Sequence, residues 1–196
     1  LNKNRNRIVK LDRLARRGAI AAAWCALASP ALAESQPQIV LGVGQYDQRW
    51  LDVKAGPLEI STDDRRFRAV DLRAEYRFAP LLSAGEWLEV RPFLGVEGTS
   101  DFALYGLGGL AVDLRLGPVV LTPSFGAGLY HRGDGKDLGS PVEFRSMLEL
   151  GYEFAGGYRA SIAYSHISNA DLADTNPGAN IIGAYLHLPA SLILGD

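Results

Sequence analysis

The chain has 196 residues, of which 47% are apolar, 21% charged and 10 proline, a globular composition that excludes a disordered tail, a collagen and a coiled coil. Its formal charge of −2 conceals an asymmetry: residues 1–33 carry seven basic side chains against Asp12, and the remainder has 13 basic against 21 acidic, a net of −8. Such a balance excludes nucleic acid as a partner class, because that binding rests on Lys and Arg at phosphates. Cys25 is the only cysteine and leaves no disulfide or thiolate chemistry for the rest of the chain.

The first 33 residues read as an address. Lys3, Arg5, Arg7, Lys10, Arg13, Arg16 and Arg17 precede the apolar stretch Gly18–Ala28, and the small-residue site Ala31-Leu32-Ala33 follows. This is the pattern of a cleaved signal peptide, with maturation expected at Glu34 and an export route out of the cytoplasm. The apolar stretch is too short to cross a bilayer, and no later run reads as a transmembrane helix.

From Glu34 onward the dominant period is two. In Val70–Phe78, Val70, Leu72, Ala74, Tyr76 and Phe78 share one face, while Asp71, Arg73, Glu75 and Arg77 share the other. A helix could not separate them in this way. The same rule predicts strands at about 38–46, 66–78, 87–97, 104–116, 119–130, 142–154, 158–168 and 180–188. Eight is even, and most segments reach the roughly 9 to 11 residues that a tilted strand needs to cross hydrocarbon. The connections alternate broadly between long and short, with both chain ends on the short side, as in outer-membrane barrels.

Alternation gives parity without saying which face points outward. A secreted ligand-carrying barrel would alternate too, with its apolar face inside. The membrane arrangement is preferred because the polar face carries mixed charge, as at Glu143, Arg145, Glu149 and Glu153. The interior of an eight-stranded barrel is just wide enough for side chains to fill, and paired charges are tolerable there. The opposite face, such as Leu110, Val112, Leu114 and Leu116, suits lipid. Trp87, Tyr130, Tyr152, Phe154 and Tyr158 are expected at the membrane interfaces. The predicted fold class is therefore all-β, an eight-stranded antiparallel transmembrane β-barrel.

One group of residues breaks the apolar face. In Tyr158–Ser168, the parity of Tyr158, Ala160, Ile162 and Tyr164 also belongs to His166 and Ser168. Two polar side chains are thereby directed toward lipid near the outer end of a strand, where lack of partners would cost several kcal/mol. Residues i and i+2 of a strand share a face about 6.6 Å apart, a gap that an imidazole and a hydroxyl can close. A serine becomes an effective nucleophile when a base takes its proton, and histidine is the usual base. The imidazole then needs something to orient it. Asn180 has the parity of Ile182, Ala184, Leu186 and Leu188, which places it on the same face of the neighbouring strand. His131, His166 and His187 are scattered, and none has a recognisable zinc spacing, so no metal is expected. His187, Ser161 and Ser165 have the opposite parity and are expected to line the interior.

The run His166-Ile-Ser-Asn-Ala170, followed by Asn176-Pro-Gly-Ala-Asn180, resembles the signature of the outer-membrane lipid A 3-O-deacylases, the PagL-type, acyloxyacyl-hydrolase-like family. The resemblance implies Ser168 as nucleophile, His166 as general base and Asn180 in the place of the orienting acid. It marks Asn169 and Asn176 as motif positions, with Asn176 and a backbone N–H near Asp171 as oxyanion support. It also implies a lipid A substrate in the outer leaflet, an outer-membrane location and no cofactor; a homodimer is compatible with it. Residues 34–196 would then form the barrel deacylase domain. The chain departs from the family at Asn180, where characterised members carry glutamate. Asp171 and Asp174 lie in the same loop as candidate substitutes, and a catalytically weak or inactive structural barrel is the alternative reading.

Overall fold

A computed structural model describes residues 36–47 and 69–195. The expected signal peptide at 1–33 and the expected start of the second strand at 66–68 lie outside the described residues. The strands are β1 (Gln38–Tyr46), β2 (Val70–Arg77), β3 (Leu82–Ala84), β4 (Leu88–Thr99), β5 (Leu104–Leu116), β6 (Val119–His131), β7 (Val142–Glu153), β8 (Arg159–Ser168) and β9 (Ala179–Pro189). A single helical turn, α1 (Ser191–Leu194), follows. Eight of these strands form a closed antiparallel cylinder in the order β1, β2, β4, β5, β6, β7, β8, β9, with β9 returning to β1. The short β3 was not anticipated. It lies within the connection from β2 to β4 and pairs only with Leu88–Val90 at the base of β4.

Closure of the eight long strands leaves none of them as a free edge, which is the condition for backbone amides to enter hydrocarbon. Gln38 is paired with both Arg77 and Pro189, so the start of the first strand and the end of the last meet at one rim. Connections 100–103, 132–141 and 169–178 leave the opposite, outer rim, together with the connection from β1 to β2. The tight turns at 117–118 and 154–158 lie on the side of the termini.

The charged face points inward. Arg77, Arg91, Arg145 and Arg159 are each about 1% exposed or less, whereas Leu72, Leu94, Phe125, Leu148 and Ile162 are each more than 50% exposed on the outer wall. In the lumen, Arg159 meets both oxygens of Asp113 at 3.0 Å, Arg77 meets Glu149 at 2.8 Å, and Arg145 bridges Glu75 and Glu97. His187 is buried against Glu149 at 2.5 Å, and Ser165 is buried beside Arg73, the lining positions expected from parity. Toward the outer rim a buried apolar cluster that includes Phe93, Tyr105, Leu107, Leu138, Ile167 and Ile181 packs among the buried carboxylates Asp71, Glu97 and Glu143.

Aromatic residues Trp87, Tyr152, Phe154 and Tyr158 are exposed near the rim of the termini, as expected for an interfacial belt. Tyr130 is a correction. It shares the inward parity of Val120, Thr122 and Ser124, is buried, and hydrogen-bonds Tyr46 at 3.2 Å and the Lys136 carbonyl at 2.8 Å.

Candidate active site

β8 alternates strictly. Arg159, Ser161, Ala163, Ser165 and Ile167 are buried in the lumen, while Ala160, Ile162 and His166 are exposed on the wall and Tyr164 and Ser168 are half-buried there. The inward residues anchor the strand: Ile167 belongs to the apolar cluster and Arg159 to the charge network. His166 and Ser168 are therefore held outward by what lies between and beside them.

His166 and Asn180 are direct cross-strand partners in the β8–β9 ladder, and Ser168 pairs with Phe144 of β7. His166 Nδ1 lies 2.7 Å from Asn180 Oδ1. An amide oxygen can only accept, so Nδ1 carries the proton and donates it. Nε2 then keeps its lone pair, the state that a general base requires. Although Asn180 has the outward parity expected, it is 8% exposed rather than open to lipid. The returning loop also comes close to the imidazole, at Gly178. A Cβ added there would come within 2.9 Å of His166 Cε1 and 3.4 Å of Nε2, and its φ of +59° is the left-handed conformation suited to glycine.

The loop 169–178 is built around the two other asparagines. Asn169 is fully buried and donates its amide hydrogens to the carbonyls of Leu138 at 2.9 Å and Thr175 at 2.8 Å, joining the loop to the neighbouring connection 132–141. Asn176 Oδ1 accepts the Asn169 backbone N–H at 3.1 Å, and its Nδ2 donates to Asp171 Oδ1 at 2.9 Å. An amide nitrogen has two hydrogens, so Asn176 retains a second donor. Ala170 and Asp171 both have positive φ, +53° and +61°, which turns the chain directly after Asn169.

The structure thus bonds His166 to Asn180 on the outer wall, sets Ser168 on the same face of β8 two residues on without a hydrogen bond to His166 among the described residues, and places Asn169, Asn176 and Asp171 in the adjoining loop. Asp171 is engaged by Asn176, while Asn180 takes the imidazole N–H, so the site is arranged around the amide. Leu138, Thr175 and Gly178 were missed as contributors. The Pro177-Gly178 pair is the one sequence signal that could have marked this turn, and neither its contact with the imidazole nor the link to Leu138 has a sequence period.

The family model for lipid A 3-O-deacylase (PagL) matches residues 72–189, from β2 through the end of β9. The chain belongs to the lipid A 3-O-deacylase (PagL) family. Among solved structures it is similar to the crystal structure of the outer membrane enzyme PagL, with a TM-score of 0.57 and 15% identity, covering 78% of this chain and 99% of that one. It is also similar to Neisserial surface protein A, with a TM-score of 0.50 and 9% identity, covering 78% and 96%. At these identities the likenesses establish the outer-membrane barrel fold. No curated protein matches the chain in sequence. The PagL-type barrel closes within one chain, and the homodimer finds no support in these comparisons.

Proposed function

We propose that this protein is a serine esterase that hydrolyses the ester-linked 3-hydroxyacyl chain at position 3 of lipid A in the outer leaflet. Residues 1–33 serve as the cleaved signal peptide and 34–196 as the barrel deacylase domain. The observation that carries the reading is the 2.7 Å bond from His166 Nδ1 to Asn180 Oδ1 on the lipid-facing wall, two residues along β8 from Ser168. A histidine ordered in this tautomer, on a surface otherwise given to lipid, is costly to keep without chemistry.

In this reading His166 Nε2 takes the Ser168 proton as Oγ attacks the ester carbonyl carbon. The free amide hydrogen of Asn176 and a backbone N–H near Asp171 stabilise the oxyanion. The ester C–O bond then breaks, and the imidazolium returns its proton to the sugar oxygen. Water, activated by His166, attacks the acyl-serine, releasing a 3-hydroxy fatty acid and restoring Ser168. The acyl chain lies along Ile162, Leu148 and Ala184. Asn180 fixes the ring but brings no charge to the imidazolium.

The test is the mass of lipid A from a Gram-negative host expressing the protein. One 3-hydroxyacyl group is lost with the wild type and retained with Ser168→Ala or His166→Ala, each variant being checked for folding by its heat-dependent migration. Unchanged lipid A from a folded wild-type barrel would favour the second reading, an inactive structural barrel of the same family. The specific observation in favour of that reading is the amide at Asn180.

A further inference from the structure

Polar side chains are scarce on the outer wall: beside the site they are His166, Ser168, Asn180 and one serine of β7, with Gln45 and His131 elsewhere at the outer ends of their strands. The outward positions of β7 are Val142, Phe144, Ser146, Leu148, Leu150 and Tyr152, all apolar or aromatic except one. Ser146 is exposed and is the direct cross-strand partner of His166, on the side opposite Asn180. The proposed reaction gives Ser146 no part: the base is already oriented by Asn180, and the nucleophile is on β8.

Its position relative to the nucleophile suggests a use. Ser168 is paired with Phe144, and Ser146 is two residues farther from the outer rim along β7, about 6.6 Å deeper at 3.3 Å per residue. That is the direction in which an acyl chain must run from an ester held at Ser168, past Leu148 and Ile162 into hydrocarbon. In a 3-hydroxyacyl chain the hydroxyl-bearing carbon lies about 2.5 Å beyond the carbonyl carbon by ordinary bond lengths and angles. Adding the C–O bond and a hydrogen bond of about 2.8 Å reaches the depth of Ser146. The serine oxygen both donates and accepts, so it suits an alcohol of either orientation.

Resting on the deacylase reading, we infer that Ser146 is a specificity-determining residue that hydrogen-bonds the 3-hydroxyl of the acyl chain and selects 3-hydroxyacyl esters over plain acyl esters. An apolar wall would bind both chains through the same contacts and provide no such selection. A serine at this depth leaves a hydroxyl that lipid tails cannot satisfy and this substrate can.

Matched 3-hydroxydecanoyl and decanoyl esters of one alcohol, offered to the full barrel in detergent, test the inference. The wild type is expected to favour the hydroxylated ester in kcat/KM by about fivefold to tenfold, the size of one neutral hydrogen bond. Ser146→Ala brings that ratio close to one, and Ser146→Thr, which keeps the hydroxyl, restores most of it. An unchanged ratio in Ser146→Ala, or no preference in the wild type, overturns the inference. Binding separates it from the parent reading: the two non-hydrolysable decanoyl amides, one 3-hydroxylated, compete with a fluorescent fatty acid for the same proteins. A preference for the hydroxylated amide that disappears in Ser146→Ala supports the inference even where neither ester is cleaved. Equal binding of the two amides to the wild type overturns it.

Discussion

At Asn180 the amide performs half of what a carboxylate would. Its oxygen accepts the His166 Nδ1 proton at 2.7 Å and so selects the productive tautomer. When the aspartate of the serine-protease triad is replaced by its amide, the imidazole is left in the wrong tautomer and turnover falls by about 10⁴. Here the tautomer is right, and what is missing is the charge opposite the imidazolium. Asn180→Glu is therefore expected to raise the rate of 3-O-deacylation, by about tenfold for ~1.4 kcal/mol of added transition-state stabilisation, measured as the initial rate of 3-hydroxy fatty acid release. A slower or unchanged rate would remove Asn180 from the orienting role. Gly178 makes the complementary case for shape. Gly178→Ala places a methyl against His166 Cε1 and forces an L-residue to φ of +59°, a backbone cost of about 1–2 kcal/mol. Activity should fall at least tenfold while the barrel still shows heat-dependent migration.

The strand elements were legible because a sheet with one charged and one apolar face declares its period twice over. β1 and β5 fall on the predicted bounds, and β8 and β9 within one residue of them at each end. The shared outward parity of the candidate residues followed from the same pattern, since Ser168, His166 and Asn180 are read from their strands' apolar neighbours. The loops were not legible in this way. Asn169 was marked by the motif, yet its bonds to Leu138 and Thr175 depend on two connections meeting across the rim. Tyr130 shows the opposite failure, in which residue type suggested an interface and parity, the stronger signal, placed it inside. The loop link makes its own prediction. Asn169→Ala would leave the Leu138 and Thr175 carbonyls without this donor, and each buried unsatisfied group costs about 1–3 kcal/mol. The cost should fall on loop 169–178 rather than on the barrel. Limited proteolysis should cut this loop sooner, and deacylation should drop, with global unfolding by denaturant nearly unchanged.

Across the whole molecule, the site depends on register. A slip of one residue between β8 and either neighbour would turn His166 and Ser168 into the lumen and send Ser165 and Ile167 into lipid. What opposes that slip is the network inside: Arg145 on β7 reaches Glu97 on β4 and Glu75 on β2, and Arg159 on β8 reaches Asp113 on β5. These pairs cross the lumen to strands that are not hydrogen-bonded neighbours, so each one ties the registers of distant parts of the cylinder together. Removing the sole partner of a buried charge typically costs about 3–5 kcal/mol, and here each carboxylate has a second arginine within 3.6 Å that softens the loss. Arg145→Leu takes one of two guanidinium partners from each of Glu75 and Glu97, which keep Arg77 and Arg73, and should lower the stability of the barrel in lipid vesicles by less than that full cost, read as a shift in the denaturant midpoint of tryptophan fluorescence. Adding Glu75→Gln to Arg145→Leu should recover part of the loss, because it removes a carboxylate that has lost its nearer partner while Arg77 keeps Glu149. If the two losses simply add, the ion pair is not what holds these strands. The same measurement bears on function: below its unfolding transition Arg145→Leu should still deacylate, because the residue acts on strand register and touches nothing at the wall.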